Sequence, residues 1–237
     1  MHTRFLVFLV LMLQSFALAA QSPSFRHEHI EVQLIASQKA LRPGGSQWMA
    51  LRLKPDPNWH VYWKNPGDSG EAPRIEGLAD QGLFTASDFI YPVPERIEIP
   101  PLTNIGYEEE ILLPFSLTLP PEGSPNLSFR AHWLVCEKSC IPGEQVFSFP
   151  LAGSEGTDDF GLIHSAVDKA PKTFTAWSHE KGEAGKERLI IDRSALPWPE
   201  AEVEFFPLQS AGLKSAKPEQ SEVDSQLTFQ LQSEGFS

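Results

Sequence analysis

The sequence predicts an all-β protein in which an antiparallel β-sandwich is followed by a second, smaller β-rich unit. Three observations point to this class. Short apolar segments alternate with polar residues at a period of two, which is typical of half-buried strands. Clusters of Pro, Gly, Asn and Asp bound these segments, and the 21 prolines of the chain confine them to short strands and sheet edges. A single segment has the spacing of a helix.

The first 20 residues predict a secretory signal peptide. His2 and Arg4 precede the apolar run 5–13, and the alanines at 17, 19 and 20 give the small-residue pattern expected at a signal-peptidase site. The apolar run is shorter than a membrane-spanning helix, which needs about 20 apolar residues. We expect cleavage near Ala19 or Ala20, and a mature chain in an oxidising, extracytoplasmic compartment.

Seven strand candidates define the first unit, for which we expect residues 25–153. The first candidate carries Ile30, Val32 and Leu34 on one face, and a turn at residues 42–45 separates it from the second. Regular spacing between turn signals is typical of an antiparallel sandwich. The candidates are residues 30–34, 48–53, 61–63, 89–91, 111–119, 127–135 and 145–151.

A change of composition predicts a linker at residues 152–157 and a second unit at residues 157–237. Residues 158–170 carry the helical pattern, with Phe160, Ile163 and Val167 on one side and Pro171 after the end. This unit has four strand candidates, fewer than the roughly seven strands of an immunoglobulin-like sandwich. We therefore expect an incomplete second unit in the front part of a longer protein. The strand candidates of this unit are residues 174–177, 188–191, 203–206 and 226–231.

The composition excludes several classes of function. The net charge is −12 and there is no run of basic residues, so we expect no nucleic-acid partner. The chain has no Ser/His/Asp nucleophile motif, no HExxH metal motif and no glycine-rich phosphate loop, so we expect no small-molecule cofactor. The chemistry therefore has to be sought in the two cysteines.

Both cysteines, Cys136 and Cys140, lie in one short segment. A disulfide requires Cα atoms about 4.4 to 6.8 Å apart, whereas four extended residues span roughly 13 Å. Residues 137–139 must therefore turn sharply if the pair is oxidised. A strand, a tight turn and a second strand would satisfy this condition.

Two interpretations of the pair involve a disulfide. A structural staple is common in secreted domains, although a ring of five residues gains only about 2 kcal/mol in the chain-entropy model. The second interpretation is a pair that exchanges disulfides with other proteins. In such a pair one thiol attacks a partner's disulfide and its neighbour resolves the mixed disulfide. Lys138 would favour a thiolate, and Glu137 would oppose it.

A third interpretation is a metal site. Two thiolates with His132 or His60 would select Cu(I) or zinc, but Cys-x3-Cys alone is a weak signature. His27 and His29 are a further pair of candidate ligands at the exposed start of the mature chain. We expect no metal at any of these positions.

Four ordered blocks of residues carry a resemblance to a known family. Together they resemble the amino-terminal periplasmic region of the DsbD and ScsB thiol:disulfide interchange proteins. The match is closer to the ScsB branch, which is associated with suppression of copper sensitivity, and it covers residues 25–153 best. The blocks are Trp59-His60-Val61-Tyr62-Trp63-Lys64-Asn65-Pro66-Gly67-Asp68-Ser69-Gly70, Tyr91-Pro92-x-Pro94-x-Arg96, Gly106-Tyr107-Glu108, and Trp133-Leu134-Val135-Cys136 with Cys140-Ile141-Pro142.

The resemblance implies an immunoglobulin-like amino-terminal domain with a redox function in the periplasm, and we expect the second unit to be immunoglobulin-like as well. Members of the family pass electrons through membrane-embedded and thioredoxin-like domains to the amino-terminal cysteine pair. That pair reduces periplasmic thioredoxin-fold or other disulfide-bearing proteins, and the activity is linked to copper tolerance and cytochrome c maturation. The chain is thus expected to be one domain of a protein-disulfide reductase relay. The alternative is a non-catalytic secreted binding or copper-handling domain with a structural disulfide.

The resemblance also suggests roles for particular residues. Cys136 and Cys140 would be the catalytic pair, with Cys136 expected to form the mixed disulfide. Residues 97–107 lie where DsbD has a cap loop that shields its cysteines, although the apolar side chains of this segment equally suit the edge of a core. The shielding candidates are Pro101, Leu102, Tyr107, Trp59 and Tyr62, and the candidates for tuning the cysteines are Glu137, Lys138 and His132.

Overall fold

The computed structural model describes residues 24–37, 44–78, 85–119, 126–150, 159–181, 187–209 and 215–231. The expected signal peptide and linker lie outside these residues. The strands are β1 (Ser24–His27), β2 (Ile30–Ala36), β3 (Ser46–Pro55), β4 (Val61–Gly67), β5 (Arg74–Gly77), β6 (Thr85–Ala86), β7 (Glu95–Ile99), β8 (Leu102–Tyr107), β9 (Ile111–Thr118), β10 (Asn126–Cys136), β11 (Cys140–Pro150), β12 (Trp177–Lys181), β13 (Glu187–Asp192), β14 (Glu219–Val223) and β15 (Gln226–Leu231). The helix is α1 (Phe160–Asp168).

The first unit is a sandwich of two antiparallel layers. One layer is a sheet in the order β1-β2-β3-β9-β6. The other layer contains the sheets β11-β10-β5 and β4-β8-β7, which are joined by a bridge between His60 and Cys136. Fully buried side chains from both layers form one core, as where Phe115 of β9 meets Phe129 of β10 edge to face. The predicted all-β, immunoglobulin-like class is confirmed.

Most strands predicted for the first unit are present, and the strand predicted at residues 89–91 is wrong. This segment is irregular, although Phe89 and Tyr91 pack against the core and Phe89 lies 5.7 Å from Phe115, centroid to centroid. Pro92 and Pro94 follow, and proline cannot donate a hydrogen bond to a ladder. The apolar pattern therefore indicated that this segment is buried, but it did not indicate whether the segment pairs as a strand.

Residues 97–107, expected from the resemblance to form a cap loop, are largely a β-hairpin. β7 and β8 pair in register from Glu95 opposite Gly106 to Ile99 opposite Leu102. Buried residues of β8, including Ile105, anchor the hairpin in the core, so the backbone satisfies its polar groups by strand pairing.

The second unit is a four-stranded antiparallel sheet in the order β12-β13-β15-β14. The strands predicted at 188–191 and 226–231 are present, whereas the one predicted at 174–177 begins only at Trp177. The strand predicted at 203–206 is wrong, because this segment pairs with no neighbouring strand, although its side chains pack into two cores. Phe205 packs with Phe229 of the second unit, and Phe206 packs against the core of the first.

Helix α1 covers the outer face of the first layer. Ile163 is fully buried against Ile35 and Ala50, and Val167 packs beside it. Phe160, which the helical pattern placed on the same side, is 52% exposed and stacks on His164 instead. Within the described residues, no helix has the length and apolar character to cross a membrane.

Candidate functional site: a disulfide at a hairpin tip

The two cysteines close the end of the longest hairpin in the described part of the chain. β10 and β11 stay in register from Asn126 opposite Pro150 to Cys136 opposite Cys140. Cys136 and Cys140 form a disulfide, and their Cα atoms are 4.2 Å apart. The strand–turn–strand arrangement inferred from the spacing of the cysteines is therefore present, with Glu137, Lys138 and Ser139 as its turn.

The two cysteines differ in accessibility. Cys136 is 1% exposed, because its backbone also pairs with His60 on the side away from Cys140. The amide of His60 donates to the carbonyl of Cys136 at 2.9 Å, and the amide of Cys136 donates to the carbonyl of His60 at 3.0 Å. Cys140 is exposed at the start of β11. The structure thus places Cys136 inside the protein and Cys140 at its surface.

A buried tyrosine brings its hydroxyl to the exposed cysteine. The Tyr62 oxygen lies 3.7 Å from Cys140 Sγ and 3.2 Å from His60 Nε2. Asn104 Nδ2 donates to the same oxygen at 3.5 Å. Tyr62 is fully buried, so packing holds its hydroxyl among these partners.

Burial sets the protonation states of His60 and Tyr62. It lowers the pKa of His60, which therefore carries a neutral imidazole at neutral pH. It also raises the pKa of Tyr62, so the phenol stays protonated. The group next to Cys140 is consequently a neutral hydroxyl that can donate one hydrogen bond.

The loop after β4 fixes Tyr62 and Asn104. Gly70 has φ +98°, and a Cβ at this position would lie 2.2 Å from the Tyr62 ring. Ser69 Oγ donates to Asn104 Oδ1 at 2.8 Å, and the amide of Thr103 donates to Asp68 Oδ2 at 2.8 Å. These bonds tie the loop to β8. Nothing in the sequence indicated that Asn104 would meet Tyr62.

Four of the five shielding candidates occupy other positions. Tyr107 is buried in the main core, and its hydroxyl donates to the Pro92 carbonyl at 2.9 Å. Trp59 is half-buried and stacks on His29 with ring centroids 3.9 Å apart. Pro101 and Leu102 lie exposed at the turn between β7 and β8. Tyr62 is the candidate that contacts Cys140.

The tuning candidates surround the hairpin at different depths. Glu137 and Lys138 are exposed in its turn. His132 is partly buried, with Glu76 and Glu144 each 3.6 Å from one of its ring nitrogens. Among the residues that the structure describes, no group of three or more His, Cys, Asp or Glu side chains is arranged to hold a metal ion.

The first unit is thus an immunoglobulin-like sandwich that carries a disulfide at the tip of a hairpin. Residues 31–152 match the family model described as the N-terminal region of the thiol:disulfide interchange protein DsbD. This match covers just over half of the chain, and the chain belongs to that family.

One solved structure shows the same fold, and a second is similar over a shorter stretch. The N-terminal periplasmic domain of ScsB from Proteus mirabilis is similar over 90% of this chain and 84% of its own, with a TM-score of 0.71 and 20% sequence identity. The reduced DsbD N-terminal domain of Neisseria meningitidis is similar over 52% of this chain and 86% of its own, with a TM-score of 0.32 and 14% identity. The search of curated protein sequences gave no match.

Proposed function

We propose that this chain is the periplasmic reductase domain of a disulfide relay, and that Cys136 and Cys140 are its catalytic pair. The observation that carries the proposal is a disulfide between one buried and one exposed cysteine beside a tyrosine hydroxyl. An exposed sulfur is available to a partner, and a buried neighbour is protected from unwanted oxidants yet close enough to resolve the mixed disulfide.

The exchange begins with both cysteines reduced. The Cys140 thiolate attacks one sulfur of the partner's disulfide, forming a Cys140–partner bond while the other partner sulfur leaves as a thiolate and takes up a proton. The Cys136 thiolate then attacks Cys140 Sγ and releases the second partner thiolate, which is protonated in turn. The partner gains two electrons and two protons, and the pair returns to the Cys136–Cys140 disulfide.

Tyr62 assists the first step in this proposal. In the oxidised pair its hydroxyl can donate to the neutral His60 imidazole, 3.2 Å away. In the reduced pair the same proton can be donated to the Cys140 thiolate, because the two atoms lie within reach. A hydrogen bond to the charged form lowers a thiol pKa, so more thiolate is present at neutral pH.

The partners follow from family membership. Membrane-embedded and thioredoxin-like domains of the same family would re-reduce the pair, and thioredoxin-fold or other disulfide-bearing periplasmic proteins would oxidise it. Links to copper tolerance and cytochrome c maturation belong to the same proposal. A chromosomal Cys140→Ser variant tests them: both copper resistance and holocytochrome yield should fall, and wild-type values for both would remove these links.

The reduction potential of the pair tests the proposed activity directly. The purified chain is equilibrated with glutathione buffers, and the free thiols are alkylated and counted by mass. A value above about −250 mV is expected, since exchangeable dithiols lie in that range. A value below about −300 mV would instead mark a structural bond, and the chain would then be a stapled binding module.

Single-cysteine variants test which sulfur meets the partner. Cys136→Ser should accumulate a mixed disulfide through Cys140 when mixed with an oxidised thioredoxin-fold protein, because the resolving thiol is missing. Cys140→Ser is the matched control and should trap little, since Cys136 is buried. Efficient trapping by Cys140→Ser alone would reverse the assignment.

A further inference from the structure

Asn104 is a buried residue of β8 whose side-chain amide lies between the loop after β4 and the Tyr62 hydroxyl. The residue is 2% exposed, and each end of its amide has a polar partner. Ser69 Oγ donates to Asn104 Oδ1 at 2.8 Å, and Asn104 Nδ2 donates to the Tyr62 oxygen at 3.5 Å. That oxygen is 3.7 Å from Cys140 Sγ. A continuous line of polar contacts therefore leads from the loop to the exposed cysteine.

The two ends of the amide are not equivalent, because the oxygen only accepts and the nitrogen only donates. The Ser69 hydroxyl donates to Oδ1, so the amide is held with Nδ2 towards Tyr62. The Tyr62 oxygen accepts a hydrogen bond from that side, and the hydroxyl cannot give its own proton to Asn104. The proton is left for two other neighbours of the hydroxyl, His60 Nε2 and Cys140 Sγ.

The opposite orientation of the same amide would withdraw the hydroxyl from the cysteine. With Oδ1 towards Tyr62, the phenol would donate to the amide oxygen, which would compete with the Cys140 sulfur for its single proton. The observed orientation has a second effect. A hydroxyl that accepts a hydrogen bond becomes a stronger donor, since neighbouring hydrogen bonds polarise one another.

We propose that Asn104 is a positioning residue for the exchange at Cys140: held by Ser69, it directs the Tyr62 hydroxyl proton towards the cysteine sulfur. Asn104 acts through Tyr62 alone. The inference rests on the proposed function, because it requires the Tyr62 hydroxyl to stabilise the Cys140 thiolate. Every variant below keeps the titratable and charged groups on the surrounding elements, which are His60, Asp68, Glu71, Glu98, Glu137 and Lys138.

The pH dependence of alkylation tests this role in a Cys136→Ser background, where Cys140 is the sole thiol. Ser69→Ala frees the amide to turn, so the pKa of the Cys140 thiol should rise by about half a unit. Ser69→Thr keeps a hydroxyl and should restore most of the original value. Ser128→Ala is the matched control and should leave this pKa unchanged, because the Ser128 hydroxyl bonds to Ser148 at the far end of the hairpin.

Combined variants separate this role from a general loosening of the loop. In a Tyr62→Phe background, Ser69→Ala should cause no further rise in the Cys140 pKa, since no phenol proton remains to be directed. Asn104→Leu should raise the pKa by a similar amount. Adding Ser69→Ala to it should change nothing, although Ser69 also interacts with Tyr62. The inference is overturned by an unchanged pKa in Ser69→Ala, or by an undiminished rise when Tyr62 or Asn104 has already been replaced.

Proton contacts measured by NMR test the orientation in the wild-type chain. Nuclear Overhauser effects from the Asn104 side-chain amide protons should reach the Tyr62 ring. Effects to the Ser69 Hβ protons in place of the ring would show the opposite orientation and overturn the inference. The role of Tyr62 and the reduction potential of the pair would then still stand. A Cys140 pKa that Tyr62→Phe leaves unchanged would overturn the roles of both Tyr62 and Asn104.

Discussion

At the scale of single residues, the proposed chemistry rests on the contact between the Tyr62 hydroxyl and Cys140 Sγ. The hydroxyl is 3.7 Å from the sulfur and belongs to a fully buried side chain. A donor fixed by packing is ready to stabilise a thiolate without reorganising, which is why a single hydroxyl can alter the reactivity of an exposed cysteine.

Tyr62→Phe removes this donor and keeps the ring. In a Cys136→Ser background, we expect the pKa of the Cys140 thiol to rise by about one unit, because the thiolate loses a hydrogen bond. The rate of alkylation measured against pH gives the value. Tyr107→Phe is the matched control: it also removes a buried hydroxyl, but one that donates to Pro92. Equal pKa values for Cys140 in the two variants would rule out the role assigned to Tyr62.

His60 predicts a pH dependence of stability. Burial lowers its pKa below the ordinary value of 6.5, so between those two pKa values the unfolded chain binds more protons than the folded one. The contribution of His60 to stability is therefore present above pH 6.5 and is lost as the pH falls through the folded-state pKa.

Urea unfolding at pH 7.5 and pH 5.5 measures this effect. We expect the wild-type chain to lose more stability than His60→Gln over the interval, because glutamine does not titrate and can still bond to Tyr62. His164→Gln is the control, since His164 lies on the outer helix and stacks on Phe160. If His60→Gln keeps the full pH dependence of the wild type, the titrating group is elsewhere.

At the scale of elements, the loop after β4 decides where the Tyr62 ring sits. Gly70 needs a positive φ and touches that ring where a side chain would go. Neither the backbone conformation nor the contact tolerates a Cβ, so the loop and the ring constrain each other.

Gly70→Ala should therefore lower the free energy of unfolding by about 1 to 3 kcal/mol and slow exchange at Cys140. Gly161→Ala is the contrasting control, because Gly161 lies in α1 with no atom within 4 Å of the added Cβ. That change should stabilise the chain by up to about 1 kcal/mol and leave exchange unaltered. Denaturant unfolding and disulfide reduction rates report the two effects, and a neutral Gly70→Ala would contradict the constraint.

At the scale of the whole molecule, Arg96 joins the two units. Its side chain is 9% exposed, lies 4.4 Å from the Phe206 ring, and donates to the carbonyls of Phe205 and Ser215. Asn65 adds a bond to the carbonyl of Pro207 at 2.8 Å. The first unit thus satisfies backbone groups of the second that strand pairing leaves free.

Arg96→Met should uncouple the units. The lost hydrogen bonds leave the carbonyls of Phe205 and Ser215 without this donor. We therefore expect the free energy of unfolding to fall by about 2 to 4 kcal/mol, or calorimetry to show two unfolding transitions. Arg188→Met is the control, since Arg188 forms an exposed salt bridge with Glu180. This substitution should lower the free energy of unfolding by less than about 1 kcal/mol. A single transition with wild-type stability in Arg96→Met would show that the units are coupled by other contacts.

Local patterns predicted much of the fold and failed where distant contacts intervene. The strands at 30–34 and 127–135 were predicted from alternating apolar and polar residues, a pattern that is visible within one segment. The segments 89–91 and 203–206 have equally apolar sequences but no ladder, because their side chains fill cores built by other elements. The strand β14 is exposed throughout and has Val223 as its one apolar residue, so it shows no alternating pattern.

The sequence by itself determined the β class and the hairpin that a disulfide between Cys136 and Cys140 requires, since both depend on neighbours a few residues apart. Only the tertiary structure decided which cysteine is buried and which tyrosine reaches the other. Cys136 is covered because its strand pairs with His60, and Cys140 meets Tyr62 across a separation of 78 residues. Such contacts depend on how strands are ordered in a sheet, and strand order is set by the packing of the whole core rather than by any local pattern.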